Sequence, residues 1–267
     1  MRRIERSGPG FTLVEIMVVV FIILMLMAML LPALAQGIEG ARRATCASNL
    51  HQIGVAVMGY RTNNGDWFFP ATYPTRPNGT TSWYFGETDA NGVLNPTKGY
   101  LVPYLEKGYT VERCPSWREG DFRMRFQEPG WGYAYNYYYL GQNGEAYTYT
   151  WQGQVFTVPR DIHGGHSIKQ PTQTVLFADS ARVNYFQSGA TPENPVVEEN
   201  FFLEPPSQNF DSVHFRHNDR ANVLFVDGHV EPKGALRWFT ADGVDTQFSV
   251  TKKIGNLGID DTLYDRE

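Results

Sequence analysis

The chain has 267 residues, enough for one or two domains, and no stretch of it is low in complexity. Its formal net charge is −5, and without the first ten residues 20 basic side chains stand against 27 acidic ones, a net charge of −7. Nucleic acid is therefore disfavoured as a partner, because no basic stripe remains to neutralise phosphates.

A long apolar run follows a short basic leader at the N-terminus. The leader carries three arginines and ends at Gly10, and the run from Phe11 to Leu31 contains 21 residues. As a helix this run is about 31 Å long, which matches a hydrocarbon core of about 30 Å. The basic leader is expected to stay in the cytoplasm, so the chain after the apolar run lies on the other side of the membrane. Placing a charged carboxylate in hydrocarbon costs free energy, so Glu15 is predicted to have a functional role.

These N-terminal residues closely resemble the type IV prepilin N-terminus, the signal that pilins and type II secretion pseudopilins share. The resemblance implies cleavage after Gly10 and methylation of the new N-terminus on Phe11 by the prepilin peptidase/methyltransferase. It also implies that Glu15 directs assembly by pairing with the amine of a neighbouring subunit, since a buried carboxylate needs a partner. The implied partners are other pilin-like subunits and the assembly platform of a type IV pilus or type II secretion system in the bacterial inner membrane.

An ordinary secretory signal is the alternative for the same segment. Ala33-Leu34-Ala35 forms an A-x-A site, which would place the cut before Gln36. The apolar run is longer than the 7–15 residues usual for such signals. An ordinary signal also has no use for Glu15 or for Gly10 at these positions, so the prepilin interpretation is favoured.

The helix is predicted to continue beyond the membrane to about residue 62. An apolar stripe with spacings of four, three, four and three residues lies on one face, and polar residues such as Asn49 fall largely off it. The stripe consists of Cys46, Leu50, Ile53, Val57 and Tyr60. Pro32 predicts a kink near that residue. The predicted organisation is a leader over 1–10, a helix over 11–62 with its transmembrane part over 11–31, and an exported domain over 63–267.

The exported domain is predicted to consist mainly of antiparallel strands. Aromatic residues alternate from Trp131 to Tyr139, which indicates one strand with an aromatic face. Such a face belongs more often to the core than to a binding surface. Residues 174–178 form a short buried-type strand, and Asp227-Gly228 indicates a two-residue hairpin turn. The fold class is therefore α+β, and the prepilin resemblance implies the pilin-like arrangement of a long helix packed on a sheet.

A second motif narrows the resemblance. His217 is followed by nine residues and then Asp227-Gly228, and this His-x9-Asp-Gly pattern resembles that of a large bacterial subgroup of prepilin-like proteins. Residues 46–54, 113–116 and 177–180 resemble other segments of the subgroup. A structural role is favoured for the motif, with the Asp-Gly pair supplying positive φ angles and His217 hydrogen-bonding across the turn or to Asp179.

The two cysteines are Cys46 and Cys114. Export into an oxidising compartment predicts a disulfide between them, and two unpaired buried thiols are the alternative. Because the chain has no CxxC motif, a cysteine–zinc site receives little support.

No cofactor is expected, although two metals remain as hypotheses. Zinc could be bound by His214 and His217, together with His229, if these imidazoles converge in space. Calcium could be bound by carboxylate oxygens, for which the candidates are Asp219, Asp227, Asp260 and Asp261.

Two functional classes follow from these motifs. In the first, the protein is a non-enzymatic structural subunit of a pilus or pseudopilus. It is cleaved and methylated by a peptidase and methyltransferase and catalyses no reaction itself. In the second, it is a membrane-tethered exported enzyme or binding protein whose site is built from His217, Asp227 and His214. The sequence contains serine, histidine and aspartate residues, but no catalytic triad is assigned, because only their geometry in the fold can show one.

Overall fold

A computed structural model describes residues 12–70, 78–105, 111, 113–117, 120, 122–125, 130–141, 147–151, 154–158, 165–187, 189–239 and 245–264. The chain divides into two compact units, residues 1–41 and residues 42–267. The α+β class is confirmed: one long apolar helix precedes a domain of antiparallel strands.

Helix α1 extends from Leu13 to Asn63 and passes through Pro32 without interruption, so the predicted kink there stays a prediction. Its end lies one residue beyond the predicted one. Asp66 donates its backbone N–H to the Arg61 carbonyl over 2.8 Å, and Gly65 and Asp66 have φ angles of 64° and 66°. A helix end of this kind uses left-handed residues to satisfy the last carbonyls.

The remaining elements are short. The strands are β1 (Thr81–Ser82), β2 (Glu87–Thr88), β3 (Leu94–Asn95), β4 (Tyr133–Tyr135), β5 (Tyr147–Trp151), β6 (Gln154–Val158), β7 (Val175–Asp179), β8 (Arg182–Asn184), β9 (Val196–Glu198), β10 (Val213–His214), β11 (Arg220–Phe225), β12 (Val230–Gly234) and β13 (Ile254–Gly255). The further α-helices are α2 (Tyr137–Leu140) and α3 (Thr246–Lys252), and short 3-10 helices occur in several of the loops.

The central sheet of the domain has the strand order β12-β11-β7-β4, with antiparallel pairing throughout. In the part of the chain that the structure describes, the other strands form four smaller groups: β1-β2-β3, β5-β6, β8-β9 and β10-β13. Phe177 pairs with Leu224 on one side and with Tyr135 on the other, and these side chains share one face with Asp179 and Tyr133.

The part of α1 that belongs to the domain packs on this sheet face. The predicted stripe is buried from Cys46 to Val57, and Leu50 and Ile53 join Phe177 and Leu224 in one apolar cluster. A second cluster lies on the opposite face, around Val175, Ala178, Val223, Phe225 and Tyr264. The sheet is therefore buried on both faces, which explains why β7 is apolar along nearly its whole length.

The aromatic alternation predicted one strand over 131–139, and this prediction is wrong at both ends, because β4 covers only Tyr133–Tyr135. Asn136 ends β4, because its side-chain amide donates to the carbonyls of Val175 and Tyr264, each over 2.9 Å. The chain then turns into α2. The core interpretation agrees with the burial, since Trp131 is 5% exposed and Tyr133 and Tyr135 are fully buried.

Candidate functional site

The first unit carries its apolar side chains on the outside. Over the described residues of this unit, the large apolar side chains of α1 are 45–75% exposed. The helix is long and apolar enough to cross a membrane, and none of its most apolar window is buried. Gly10 and Phe11, where cleavage and methylation are predicted, lie outside the described residues. The exposed apolar surface is suited to lipid or to another helix.

Glu15 forms a capping box with Thr12 at the start of α1. The Thr12 backbone N–H and hydroxyl donate to Glu15 Oε2 over 2.8 and 2.7 Å. The Glu15 N–H donates in return to the Thr12 hydroxyl over 3.3 Å. This reciprocal pattern satisfies orphan donors at a helix N-terminus. The spacing Thr12-x-x-Glu15 is the signal that could have revealed it from sequence.

The second unit holds a buried polar cluster between α1 and the sheet. Cys46 comes from α1, Asp179 from the end of β7, His217 from the turn before β11, and Cys114 from a loop. One ligand atom from each of these four residues lies within 4.8 Å of the other three. No side chain of the four is more than 1% exposed.

The contacts inside this cluster are direct. Cys46 Sγ donates to Asp179 Oδ1 over 3.0 Å, and Cys114 Sγ lies 3.4 Å from His217 Nε2. His217 Nε2 also lies 3.4 Å from Asp179 Oδ2, so Asp179 is indeed a neighbour of His217. The backbone N–H of Asn222 donates to Asp179 Oδ2 over 2.7 Å and fixes the carboxylate.

Arg216 supplies a buried positive charge beside the cluster. Its Nε lies 3.7 Å from Asp179 Oδ1, and its Nη2 donates to the carbonyls of Gly132 and Ser180. Burial raises the pKa of Asp179, and the Arg216 charge opposes that effect. The hydrogen bond with Cys46 lowers the pKa of Cys114, and Arg216 and His217 lower it further, although burial acts in the opposite direction. Burial raises the pKa of Cys46.

Cys46 and Cys114 are free buried thiols in the structure, and the disulfide between them stays a prediction. The two residues are nevertheless neighbours, as the disulfide hypothesis required. In this arrangement the Cys46 thiol is used as a donor to Asp179, and the Cys114 sulfur faces His217. Cysteines 68 positions apart in the chain therefore meet in the fold without a CxxC motif.

The three histidines proposed for zinc do not form one site. Among the described residues, the group of possible metal ligands contains His217 but neither His214 nor His229. His214 is buried, with its ring edge-on to Phe122 at 5.0 Å, and burial lowers its pKa. His229 is exposed, stacks on Phe225 at 4.4 Å, and places Nδ1 2.6 Å from Asp227 Oδ1.

The aspartates proposed for calcium have separate partners. Asp219 pairs with Lys253, and Asp227 pairs with His229. Asp260 accepts from the Thr262 N–H, and Asp261 accepts from Ser207 and Tyr139. Each carboxylate therefore has a local structural contact.

The two ends of the His-x9-Asp-Gly motif lie at opposite ends of β11. A six-residue strand is about 20 Å long, so His217 and Asp227 cannot share one site. The positive φ angles also differ from the prediction. Residues 218 and 219, between His217 and Arg220, have φ of 52° and 61° and make the two-residue turn.

The Asp227-Gly228 end of the motif forms a different hairpin connection. The Gly228 N–H donates to the Phe225 carbonyl over 2.9 Å, and the Phe225 N–H donates to the His229 carbonyl over 3.0 Å. Gly228 has a φ of 93°, whereas Asp227 is not in the left-handed region. This geometry is a β-turn with a glycine bulge, so the hairpin prediction is confirmed and its two-residue turn is wrong.

Sequence reasoning missed Asp179 and Arg216 as members of one charged site with the cysteines. Asp179 directly follows the apolar residues of β7, and a carboxylate at the end of a buried strand is the signal that was available. The convergence itself depends on the strand pairing and could not be obtained from spacing.

Two family models match the chain. Residues 9–31 match the prokaryotic N-terminal methylation motif, and residues 37–116 match a family described as a protein of unknown function (DUF1559). No curated protein and no solved structure matches the chain. The two matches confirm the resemblance to type IV pilin-like and pseudopilin proteins. The methylation motif supports a precursor of that kind, and the apolar helix with this motif supports anchoring in a membrane.

Proposed function

We propose that the protein is a structural subunit of a type IV pilus or type II secretion pseudopilus. The observation that carries the proposal is the methylation motif at residues 9–31, which coincides with the start of an apolar helix whose side chains are exposed. An isolated chain gains nothing from so much exposed apolar surface in water. A bilayer before assembly and neighbouring helices after it would each cover that surface.

Processing follows from the same motif. Prepilin peptidase cuts after Gly10, and the amine of Phe11 is methylated. The exported domain lies on the periplasmic or extracellular side, because the three leader arginines stay in the cytoplasm. Other pilin-like subunits and the assembly platform are the partners.

Glu15 provides the assembly contact. Both hydrogen bonds from Thr12 go to Oε2, so the capping box and an intermolecular pair can use different oxygens of one carboxylate. The amine of a neighbouring Phe11 approaches Oε1, and the pairing of opposite charges in a dry environment sets the axial register of the filament.

The exported-enzyme alternative loses its basis in the geometry. His217 and Asp227 are separated by β11, and His217 is 1% exposed. A substrate could not reach this imidazole without a rearrangement of the core. Burial favours a structural role for the cluster over a catalytic one.

The decisive measurement is the intact mass and N-terminal peptide of the protein isolated from its own cells. We expect a mature chain that begins at N-methylated Phe11. A chain that begins at Gln36, or one that retains its leader, would overturn the proposal.

A pair of variants tests assembly separately from processing. We expect Glu15→Gln to be cleaved and anchored but lost from sheared filaments, because the amide cannot neutralise the neighbouring amine. Glu39→Gln is the matched control, since it removes a carboxylate from the same helix outside the capping box, and it should assemble normally. Equal incorporation of both variants would contradict the role of Glu15.

A further inference from the structure

We propose that Cys46, Cys114, His217 and Asp179 bind one Zn²⁺ ion in a closed tetrahedral site that fastens α1 to the central sheet. The four ligands come from four separate segments of the domain. Each is buried, and their ligand atoms already lie within 4.8 Å of one another. The inference is independent of whether the chain assembles into a filament.

Two of the distances between the ligand atoms match a zinc tetrahedron. Zn–S bonds of about 2.3 Å and Zn–N or Zn–O bonds of about 2.0–2.2 Å place neighbouring ligand atoms about 3.3–3.8 Å apart. The Cys114 sulfur and the Asp179 Oδ2 oxygen each lie 3.4 Å from His217 Nε2, within that range. Cys46 Sγ lies 3.0 Å from the other carboxylate oxygen, Asp179 Oδ1, and a small movement of the side chains would complete the tetrahedron, since the four ligand atoms lie within 4.8 Å of one another.

The charges of the site balance when it holds a dication. Two thiolates and the Asp179 carboxylate carry three negative charges, and the buried Arg216 guanidinium carries one positive charge. A neutral His217 adds nothing, so the remaining charge of −2 is cancelled by Zn²⁺. Without the metal, the Arg216 guanidinium balances the Asp179 carboxylate. Zn²⁺ binds both sulfurs as thiolates, so any thiol proton present before binding leaves to solvent.

The donor set selects a soft transition metal over calcium or magnesium. Two sulfurs, one imidazole nitrogen and one carboxylate oxygen are zinc ligands, whereas calcium and magnesium require mainly oxygens. The Asn222 N–H that holds Asp179 supplies the outer support that ligating carboxylates usually have. Because all four positions are filled by protein atoms, the ion has a structural role.

The first test is the metal content of the full-length protein, purified in detergent without chelators. We expect about one zinc per chain. Replacement by Co²⁺ should give a thiolate-to-cobalt charge-transfer band and the intense visible bands of tetrahedral cobalt. Titration of metal-free protein with Zn²⁺ should saturate at about one ion per chain and raise the melting temperature.

Variants locate the site. Cys46→Ser and Cys114→Ser should lose the charge-transfer band and the thermal shift while keeping the far-ultraviolet circular dichroism of the metal-free wild type. His229→Gln is the control, because this exposed histidine lies outside the cluster, and it should bind cobalt like the wild type. A Cys114→Ser chain that kept the full cobalt spectrum would overturn the assignment.

The wild type alone can also refute the site, whatever the variants do. Cells are lysed in an alkylating reagent, and the peptides that contain Cys46 and Cys114 are identified. Isolation of a Cys46–Cys114 disulfide from the native envelope would show that the ligands are consumed. Metal-free wild type that binds neither Zn²⁺ nor Co²⁺ would exclude the site equally.

Discussion

The two parts of α1 differ in the burial of their side chains, although they belong to one helix. Up to Ala41 its large apolar side chains are exposed, whereas from Cys46 to Val57 one face is buried in the domain. The first part is apolar all round, as in a membrane helix, and the second is amphipathic. Backbone conformation is therefore common to both parts, and the environment of the side chains is what distinguishes them.

The largest expected effect comes from truncating one leucine in each part. Leu50→Ala should lower the free energy of unfolding of the domain by about 2–5 kcal/mol, because it leaves a cavity among fully buried side chains. Leu24→Ala should leave it unchanged, since Leu24 is 59% exposed. Denaturant unfolding in detergent, followed by near-ultraviolet circular dichroism, measures both. A comparable loss in Leu24→Ala would break the comparison.

The second prediction concerns a buried carboxyl, a feature of the domain alone. Burial raises the pKa of Glu199 from 4.5 to about 7, against the opposing charge of Arg113. Between these values the folded protein holds a proton that the unfolded chain has lost, so stability falls as pH rises from about 4.5 to 7. Glu199→Gln should therefore gain relative stability with rising pH, by up to about 3 kcal/mol.

Thermal or urea unfolding of wild type and Glu199→Gln at several pH values between 4.5 and 8 measures that gain. Glu193→Gln is the control, because this glutamate is exposed. A constant difference between wild type and Glu199→Gln across this range would refute the raised pKa.

The smallest expected effect compares two helical glycines. A Cβ at Gly37 would meet no atom within 4 Å, so Gly37→Ala should stabilise the helix locally by about 1 kcal/mol. A Cβ at Gly54 would lie 3.1 Å from Leu224 Cδ1 in the core, and overpacking of about 1–3 kcal/mol should outweigh the same gain. Hydrogen exchange near residue 37 and global unfolding for Gly54→Ala check the two signs. Stabilisation by both substitutions would show that the core accommodates the methyl group.

Local patterns predicted the fold well where neighbours in sequence decide the structure. The stripe from Cys46 to Tyr60 identified the buried helix face, and Asp227-Gly228 identified the last hairpin of the sheet. Asn49, which lies off that stripe, is buried because its amide donates to the Tyr133 hydroxyl over 3.1 Å. That contact joins residues 84 positions apart, and no periodicity encodes it.

The candidate site was predicted less well for the same reason. His217 was identified from its motif, but its neighbours come from a helix, a strand and a loop that only the strand pairing brings together. The spacing between His217 and Asp227 in the motif reflects the length of β11, and it does not bring the two residues into one site. Histidines close in sequence, such as His214 and His217, lie in different surroundings because His214 belongs to β10 and His217 to the turn before β11.

Edge strand β12 of the central sheet affects whether copies of the domain associate at high local concentration. β12 contains Pro232, which has no N–H to offer a further strand, flanked by the charged Glu231 and Lys233. Natural proteins use prolines and charges at such positions to discourage edge-to-edge pairing between molecules. Many copies of this domain could therefore be crowded along one membrane or fibre without fusing through their sheets into amyloid-like aggregates.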